Sequence, residues 1–379
     1  MNPGNKVSIV RCEDYSNARE AVREAIDLIG GLDSIIFPGA RVLLKPNLLA
    51  AEPPDNAVTT HPAIVSAMCE LVLEAGGVPV VGDGAGITHP GVTDEALDMS
   101  GIREAAQKTG AEVLSFETSG YEVVNVPDAS HFSQLYLAKP VRYADLVISL
   151  PKLKTHELTL FTGAVKNMFG GIPLKLRKEA HLLGKKNLFS EAVVDIYSAR
   201  VPHLALMDGV VGMEGNGPAR GTPVNVGVLM ASYDCVSLDV VASKLIGLDP
   251  MQVPTNEAAI ARGYGTKDPE VCGVPLNEVT VKFRLPGTTL VGSAPPFLVS
   301  RLGKLFTIRP VINTVQCTMC GACVLNCSAH AIEQNEGMLK INDNKCILCY
   351  CCRELCPSGA VKMKRSLFAS ILMKVRNRD

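Results

Sequence analysis

Nine of the 13 cysteines in this 379-residue chain fall between Cys317 and Cys356. Eight of them form two runs with one spacing, C-x2-C-x2-C-x3-C: Cys317, Cys320, Cys323, Cys327, then Cys346, Cys349, Cys352, Cys356. Three thiolates at two-residue gaps can wrap one iron–sulfur cube, while the fourth cysteine of each run ligates the other cube. The spacing therefore assigns Cys317, Cys320, Cys323 and Cys356 to one 4Fe–4S cluster. Cys346, Cys349, Cys352 and Cys327 are assigned to a second. Cys351 is out of step with both runs and is not expected to be a ligand. Zinc sites favour CxxC pairs or Cys/His mixtures, and clustered cysteines at short spacing argue against a disulfide framework. Two clusters in one small unit point to electron transfer, because a single one would suffice as a staple.

The rest of the chain offers four polar segments, each behind an apolar run. Lys45-Pro46-Asn47 follows Leu44, with Thr59-Thr60-His61-Pro62 downstream. Lys45 at the end of a buried strand needs an acid or a cleft to face, and Thr59 or Thr60 is expected to cap a helix beginning near Pro62. Gly82-Asp83-Gly84-Ala85-Gly86 reads equally well as a tight turn or a backbone cradle for an anion. It is not the dinucleotide fingerprint. Pro151-Lys152-Leu153-Lys154-Thr155-His156 and Thr162 to Gly171 form the third segment. Lys152 and Lys154 share one side of an extended stretch, and Lys166 is expected to join them in a carboxylate or phosphate site. His156 is the candidate proton donor. A solvated charged face is the plainer explanation of such lysines, but this segment follows a strand directly and contains no Asp and one Glu, Glu157. Lys45, Lys152, Lys154, His156 and Lys166 are therefore the candidate catalytic residues. In the fourth segment, Met207 to Pro218, Asp208 is expected to end a strand and Glu214 to lie in a glycine-rich loop beyond it. Together with Asp83 and Asp239 these carboxylates offer either a divalent-ion site or ion pairs to the lysines.

The cysteine-rich unit resembles the bacterial-type two-cluster ferredoxin domain. It departs in two places: Ser328 stands where proline is usual, although Pro357 is kept in the second run, and Cys351 is an additional thiol beside Cys352. The larger part resembles the domain-of-unknown-function family 362. The likeness rests on Lys45-Pro46-Asn47, Thr60-His61-Pro62, Gly82-Asp83, Pro151 to His156, Gly163-Ala164-Val165-Lys166-Asn167 and Asp208-Gly209. It implies a shared fold and polar cleft and supplies no substrate.

These residues need elements to position them. Short apolar runs at Val42–Leu44, Val78–Val81, Leu146–Leu150, Leu204–Met207 and Val226–Met230 alternate with helical patterns at Pro62–Ala75, Thr93–Thr109 and Cys235–Ile246. That alternation predicts an α/β fold, a mainly parallel sheet with helices on both faces; the resemblance of the cysteine-rich unit implies a small C-terminal α+β ferredoxin-like domain beside it. The expected boundaries are 1–290 for the α/β domain, 291–310 for a linker, 311–365 for the cysteine-rich unit and 366–379 for a tail. Phe297–Arg309 and the tail are apolar and basic, and are expected to pack on their neighbours rather than on a membrane surface.

Hydrophobic residues make up 47% and charged residues 20%, enough apolar content for a large core. Lys plus Arg number 37 against 38 acids, and Trp is absent, so nucleic-acid binding is not expected. No apolar run reaches the roughly 18 residues of a membrane span, and the first residues do not read as a secretory signal. A cytoplasmic protein is the expectation, suited to anaerobic metabolism. Three functions compete. The first is a ferredoxin-coupled reductase of an anionic small molecule, served by a redox partner protein. The second is a non-catalytic electron carrier or assembly factor. The third is a metal-dependent, non-redox enzyme with regulatory clusters. A flavin or an additional divalent metal has no motif to support it.

Overall fold

The computed structural model describes residues 5–86, 89–184, 186–286, 308–335 and 337–365. Twelve strands belong to the larger unit: β1 (Lys6–Arg11), β2 (Arg41–Pro46), β3 (Val78–Asp83), β4 (Glu112–Ser115), β5 (Tyr121–Asn125), β6 (Gln134–Ala138), β7 (Leu146–Leu150), β8 (Lys152–His156), β9 (Leu160–Thr162), β10 (Leu204–Glu214), β11 (Thr222–Ser232) and β12 (Glu270–Gly273). The main sheet runs β12-β1-β11-β10-β7-β2-β3-β4, with β8 and β9 attached beside β10. Strands β10, β7, β2, β3 and β4 are mutually parallel. β11 is antiparallel to both β10 and β1, so the mainly parallel expectation holds at the centre and fails at that side.

Alternation along β2 shows why the sheet is covered twice. Leu43 packs with Val80, Val147 and Met207 on one face. Val42 and Leu44 pack with Val81, Ile148 and Leu206 on the other. Strands apolar on both faces belong in a sheet sandwiched by helices. Helix Pro62–Glu74 falls where expected, but its cap is His61, whose Nδ1 accepts from the Ala63 N–H at 3.2 Å. Thr60 instead donates to the Leu150 carbonyl and accepts from Asn47 N–H, tying β2 to β7. The single helix expected over Thr93–Thr109 is two, Val92–Met99 and Ile102–Lys108, parted at Gly101 with φ of 72°. Glycine takes that left-handed conformation without steric cost.

Two expected loops are strands. β10 continues through Glu214, and Lys152–His156 forms β8 next to it. Gly209 and Gly212 are needed within β10 because Val228 O stands 2.9 Å from one would-be Cβ and the Phe283 ring 2.9 Å from the other.

The cysteine-rich unit begins with β13 (Ile308–Ile312), antiparallel to β16 (Val361–Arg365); between them β14 (Ile332–Asn335) pairs with β15 (Met338–Ile341). The unit thus starts before 311, and Pro310 lies inside a two-stranded ribbon rather than ending a segment. Edge strands tolerate proline. Most of Phe297–Arg309 and all of the tail after 365 lie outside the described residues. The two halves of this unit repeat at the offset between Cys317 and Cys346. Helix Ala322–Leu325 corresponds to helix Cys351–Glu354. Left-handed residues recur in register: Met319 and Leu348, Gly321 and Tyr350, His330 and Gly359.

Candidate functional site

β2 has β3 on one side and β7 on the other, a point where the strand order switches. Ligand crevices in α/β sheets lie outside the carboxyl ends of strands at such points. Here the ends of β2 and β3 deliver Asn47, Leu48, Asp83 and Gly84 to a cleft of ≈ 100 Å³. His156 and Thr162, from the β8–β9 hairpin, form another part of its wall, with Lys166, Asn167, Arg177 and His181 from the helices that follow. Asn326, Cys351, Glu354 and Leu355 of the cysteine-rich unit close it. The cleft therefore lies at the junction of the two units. Arg353 approaches Glu157 at 3.3 Å across the same junction, and Arg220 donates to the carbonyls of Cys356 and Pro357.

The floor is a network of buried charge. Lys45 Nζ lies 2.6 Å from Asp83 Oδ1, both side chains being almost wholly buried. Asp83 also accepts from the N–H groups of Leu48 and Gly84 at 2.9 and 2.7 Å. Asn167 bridges the floor, donating to Lys45 O and Ser149 Oγ while its Oδ1 accepts from Asn47 Nδ2 at 3.2 Å. Burial drives Lys45 down and Asp83 up, each partly offset by the other's charge. Arg177 donates to the carbonyls of Ala85, Gly84, Gly170 and Ile172. Gly170 must lack a side chain, since a Cβ would meet the Asp83 carboxylate and stand 3.0 Å from Lys45 Nζ.

The five candidates, four lysines and one histidine, do not converge as one group. His156 and Lys166 line the cleft. Lys45 sits behind Asp83 in the floor. Lys152 is paired with Asp208 at 2.8 Å, and Tyr15, stacked on His61 at 3.5 Å between centroids, touches both. Lys154 donates to the Val58 carbonyl at 2.7 Å, and burial with the nearby Lys166 charge brings its pKa down to about 7. His156 Nδ1 accepts from the N–H groups of Leu158 and Thr159. Burial drives its pKa well down, so the ring is neutral and its proton resides on Nε2.

The carboxylates considered for a divalent ion are apart as well. Asp83 pairs with Lys45, Asp208 with Lys152, and Glu214 with Arg284 at 2.5 Å. Asp239 accepts from Ala164 and Val165 N–H at 2.7 and 3.0 Å, holding the turn before Lys166. Ion pairing and capping account for all four, and among the described residues no three His, Cys, Asp or Glu side chains close on a single-ion site.

The structure brings the first of the two expected cysteine sets to one place. Cys317, Cys320, Cys323 and Cys356 line one recess. Burial pushes the Cys323 thiol up to about 11, with Cys356, Cys317 and Cys320 acting in the same direction. Cys352 is raised by burial and then by Cys349, Cys346, Cys323 and Cys327. Matching amides, Ala331 N–H to Cys327 Sγ at 3.1 Å and Ala360 N–H to Cys356 Sγ at 3.2 Å, serve the two crossing cysteines. Cys351 is outside both runs; its thiol is hydrogen-bonded with that of Cys349, and it lines the cleft.

Sequence reasoning missed Thr162, Arg177, His181 and Glu354. One signal was available for Glu354 and Cys351. Their repeat counterparts are Leu325 and Ala322, which do not line the cleft, so the two halves differ at these positions.

The family described as "Domain of unknown function (DUF362)" matches residues 42–244, more than half of the chain. The chain belongs to the DUF362 family. Among its relatives, the thylakoid-associated protein sll1697 of Synechocystis is 36% identical over 256 residues, covering 66% of this DUF362 chain and 78% of that protein. The cysteine-rich end is similar to the pyruvate synthase subunit PorD. The match is 31% over 67 residues in Methanocaldococcus jannaschii (17% of this chain, 78% of PorD) and 32% over 65 in Thermotoga maritima (17% and 66%). The lactate racemase apoprotein of Thermoanaerobacterium thermosaccharolyticum aligns with TM-score 0.41 and 14% identity over 64% of this chain and 57% of its own, too distant to bear on the site. Among the described residues no helix is long and apolar enough to cross a membrane.

Proposed function

We propose that this DUF362 protein is an iron–sulfur oxidoreductase. Its cysteine-rich unit holds two 4Fe–4S clusters, and its cleft binds a small anionic molecule that is reduced there. One observation carries the reading: Cys351, Glu354 and Leu355, within and beside the second cysteine run, form one wall of the cleft whose opposite wall holds His156 and Lys166. The donor set fits two such clusters, with four sulfurs on one recess and amides directed at the crossing sulfurs. The likeness to PorD supports iron–sulfur electron transfer. When bound, the clusters supply electrons one at a time. The chain's own residues do the rest. Lys166, with the half-buried Lys178 that also lines the cleft, holds the anion and offsets the negative charge that builds up on it. His156 donates a hydrogen bond from Nε2 as a neutral imidazole. Arg177, committed to four carbonyls, fixes the shape of the cleft.

Purification without oxygen should yield about eight irons and eight sulfides per chain, and the reduced protein should reoxidise on adding a metabolite fraction. Lys166→Met should suppress that reoxidation while leaving the iron content unchanged. A colourless, iron-free protein would end this reading.

A second reading, an electron carrier docking a partner protein, draws on one feature. Val315 is 93% exposed, and Met319, Val324 and Leu325 are partly exposed near Cys320. Reoxidation by a partner protein alone, with no small molecule effective, would favour it.

A further inference from the structure

We infer that the cleft binds a small α-amino-acid zwitterion, with its carboxylate toward Lys166 and Thr162 and its ammonium toward Glu354. The inference rests on the cleft being a small-molecule site, as proposed above; a ligand carboxylate supplies the negative charge of that reading, and an ammonium is added to it.

Lys166 and Glu354 both line the cleft, one from each unit. Neither forms an ion pair with any described residue, so the two are not in salt-bridge contact with each other. Opposite charges that face each other across a cavity without touching leave space for a molecule bearing both complementary ends. Of the other cleft charges, Asp83 is engaged by Lys45 and Arg177 by its carbonyls, while the half-buried Lys178 adds a second cation to the lining. A purely anionic ligand would satisfy Lys166 but set a like charge against Glu354. A purely cationic one would reverse the conflict.

Two neutral groups point the same way. Thr162 is 3% exposed, and its Oγ1 has no hydrogen-bond partner. A buried hydroxyl left unpaired costs about 1–3 kcal/mol, and a ligand carboxylate in the cleft would accept its proton. Asn47 Oδ1 is also buried without a partner and can only accept, which suits an ammonium. The cavity of ≈ 100 Å³ admits a small molecule.

The internal repeat removes the structural alternative. Leu325 occupies the position of Glu354 in the first half, where it ends the same short helix and is 43% exposed. A cysteine loop of this kind therefore folds without a carboxylate there, and Glu354 is free to serve the cleft.

Equilibrium dialysis of the full-length, iron-loaded protein against labelled glycine, alanine, serine and aspartate tests the idea. At least one should bind, and its analogues lacking the ammonium or carrying an amide in place of the carboxylate should bind about tenfold more weakly or worse. Glu354→Leu, which copies the first half of the repeat, should lower affinity for the amino acid about tenfold and leave the ammonium-free acid unchanged or tighter. Thr162→Val should weaken both. The visible iron–sulfur absorption verifies that each variant is assembled. If no amino acid binds at millimolar concentration, or if the ammonium-free acid binds equally well and Glu354→Leu changes nothing, the inference is wrong. Binding is read with no electron donor present. A protein that binds an amino acid but passes no electrons would overturn the proposed reaction and keep this inference.

Discussion

Around β2, Val42, Leu43 and Leu44 reach two apolar layers, each built from dozens of side chains drawn from distant parts of the chain. The buried group of the cysteine-rich unit is Cys323, Ile332, Leu339, Cys352, Cys356, Ala360 and Val361. Three of these seven are motif cysteines, so there is little apolar surface to hold the unit together without what the thiols bind. Small domains with too little core depend on metals or cross-links. The larger unit shows the reverse: its apolar layers are rich enough to bury Lys45, Lys152 and Lys154 outright.

Removing iron should give the largest effect and test the contrast directly. Chelation under reducing conditions is expected to abolish the melting transition of the cysteine-rich unit while the larger unit keeps its own, read by calorimetry and far-ultraviolet dichroism. An unchanged thermogram would mean that both units rely on ordinary cores.

Within the larger unit, Asp208→Ala leaves Lys152 buried without a counter-charge. The expected loss is about 3–5 kcal/mol in urea unfolding. A loss below about 1 kcal/mol would show that water reaches Lys152, and that this core is less dry than its packing indicates.

The smallest effect concerns Lys154, held near pKa 7 chiefly by burial and then by Lys166. An unfolded lysine titrates near about 10.4. Between these values the unfolded chain binds a proton that the folded one lacks, so this group makes stability rise from about pH 7 toward pH 10. Lys154→Met removes the term. The variant's stability relative to the parent should be highest at and below pH 7 and shrink as pH approaches 10. A difference independent of pH would place Lys154 in a solvated position.

Much of the site was legible locally. The cysteine spacing predicts the two sets of thiols, and the apolar runs predict β2, β3 and β7 together with the polar residues at their ends. What escaped depends on distant partners. Lys152 reads as a loop cation until register places it opposite Asp208 in β10. Gly209 and Gly212 read as loop glycines until Val228 and Phe283 account for the missing side chains. The expected convergence of the four lysines and His156 fails for the same reason: Lys45, Lys152 and Lys154 are buried against partners of their own, and Lys166 alone of the four lines the cleft with His156. Glu354 could have been noticed by laying one half of the repeat on the other, since no cysteine motif requires it.

Of the eight motif thiols, only Cys320 is exposed, and it belongs to the set without Cys351 and its cleft-facing neighbours. If the clusters are bound as proposed, dissolved oxygen reaches that rim before it reaches the metal beside the cleft. Damage in air should then proceed inward from the solvent side, so that a bleached preparation retains, for a time, the half of its inorganic cargo closest to the ligand.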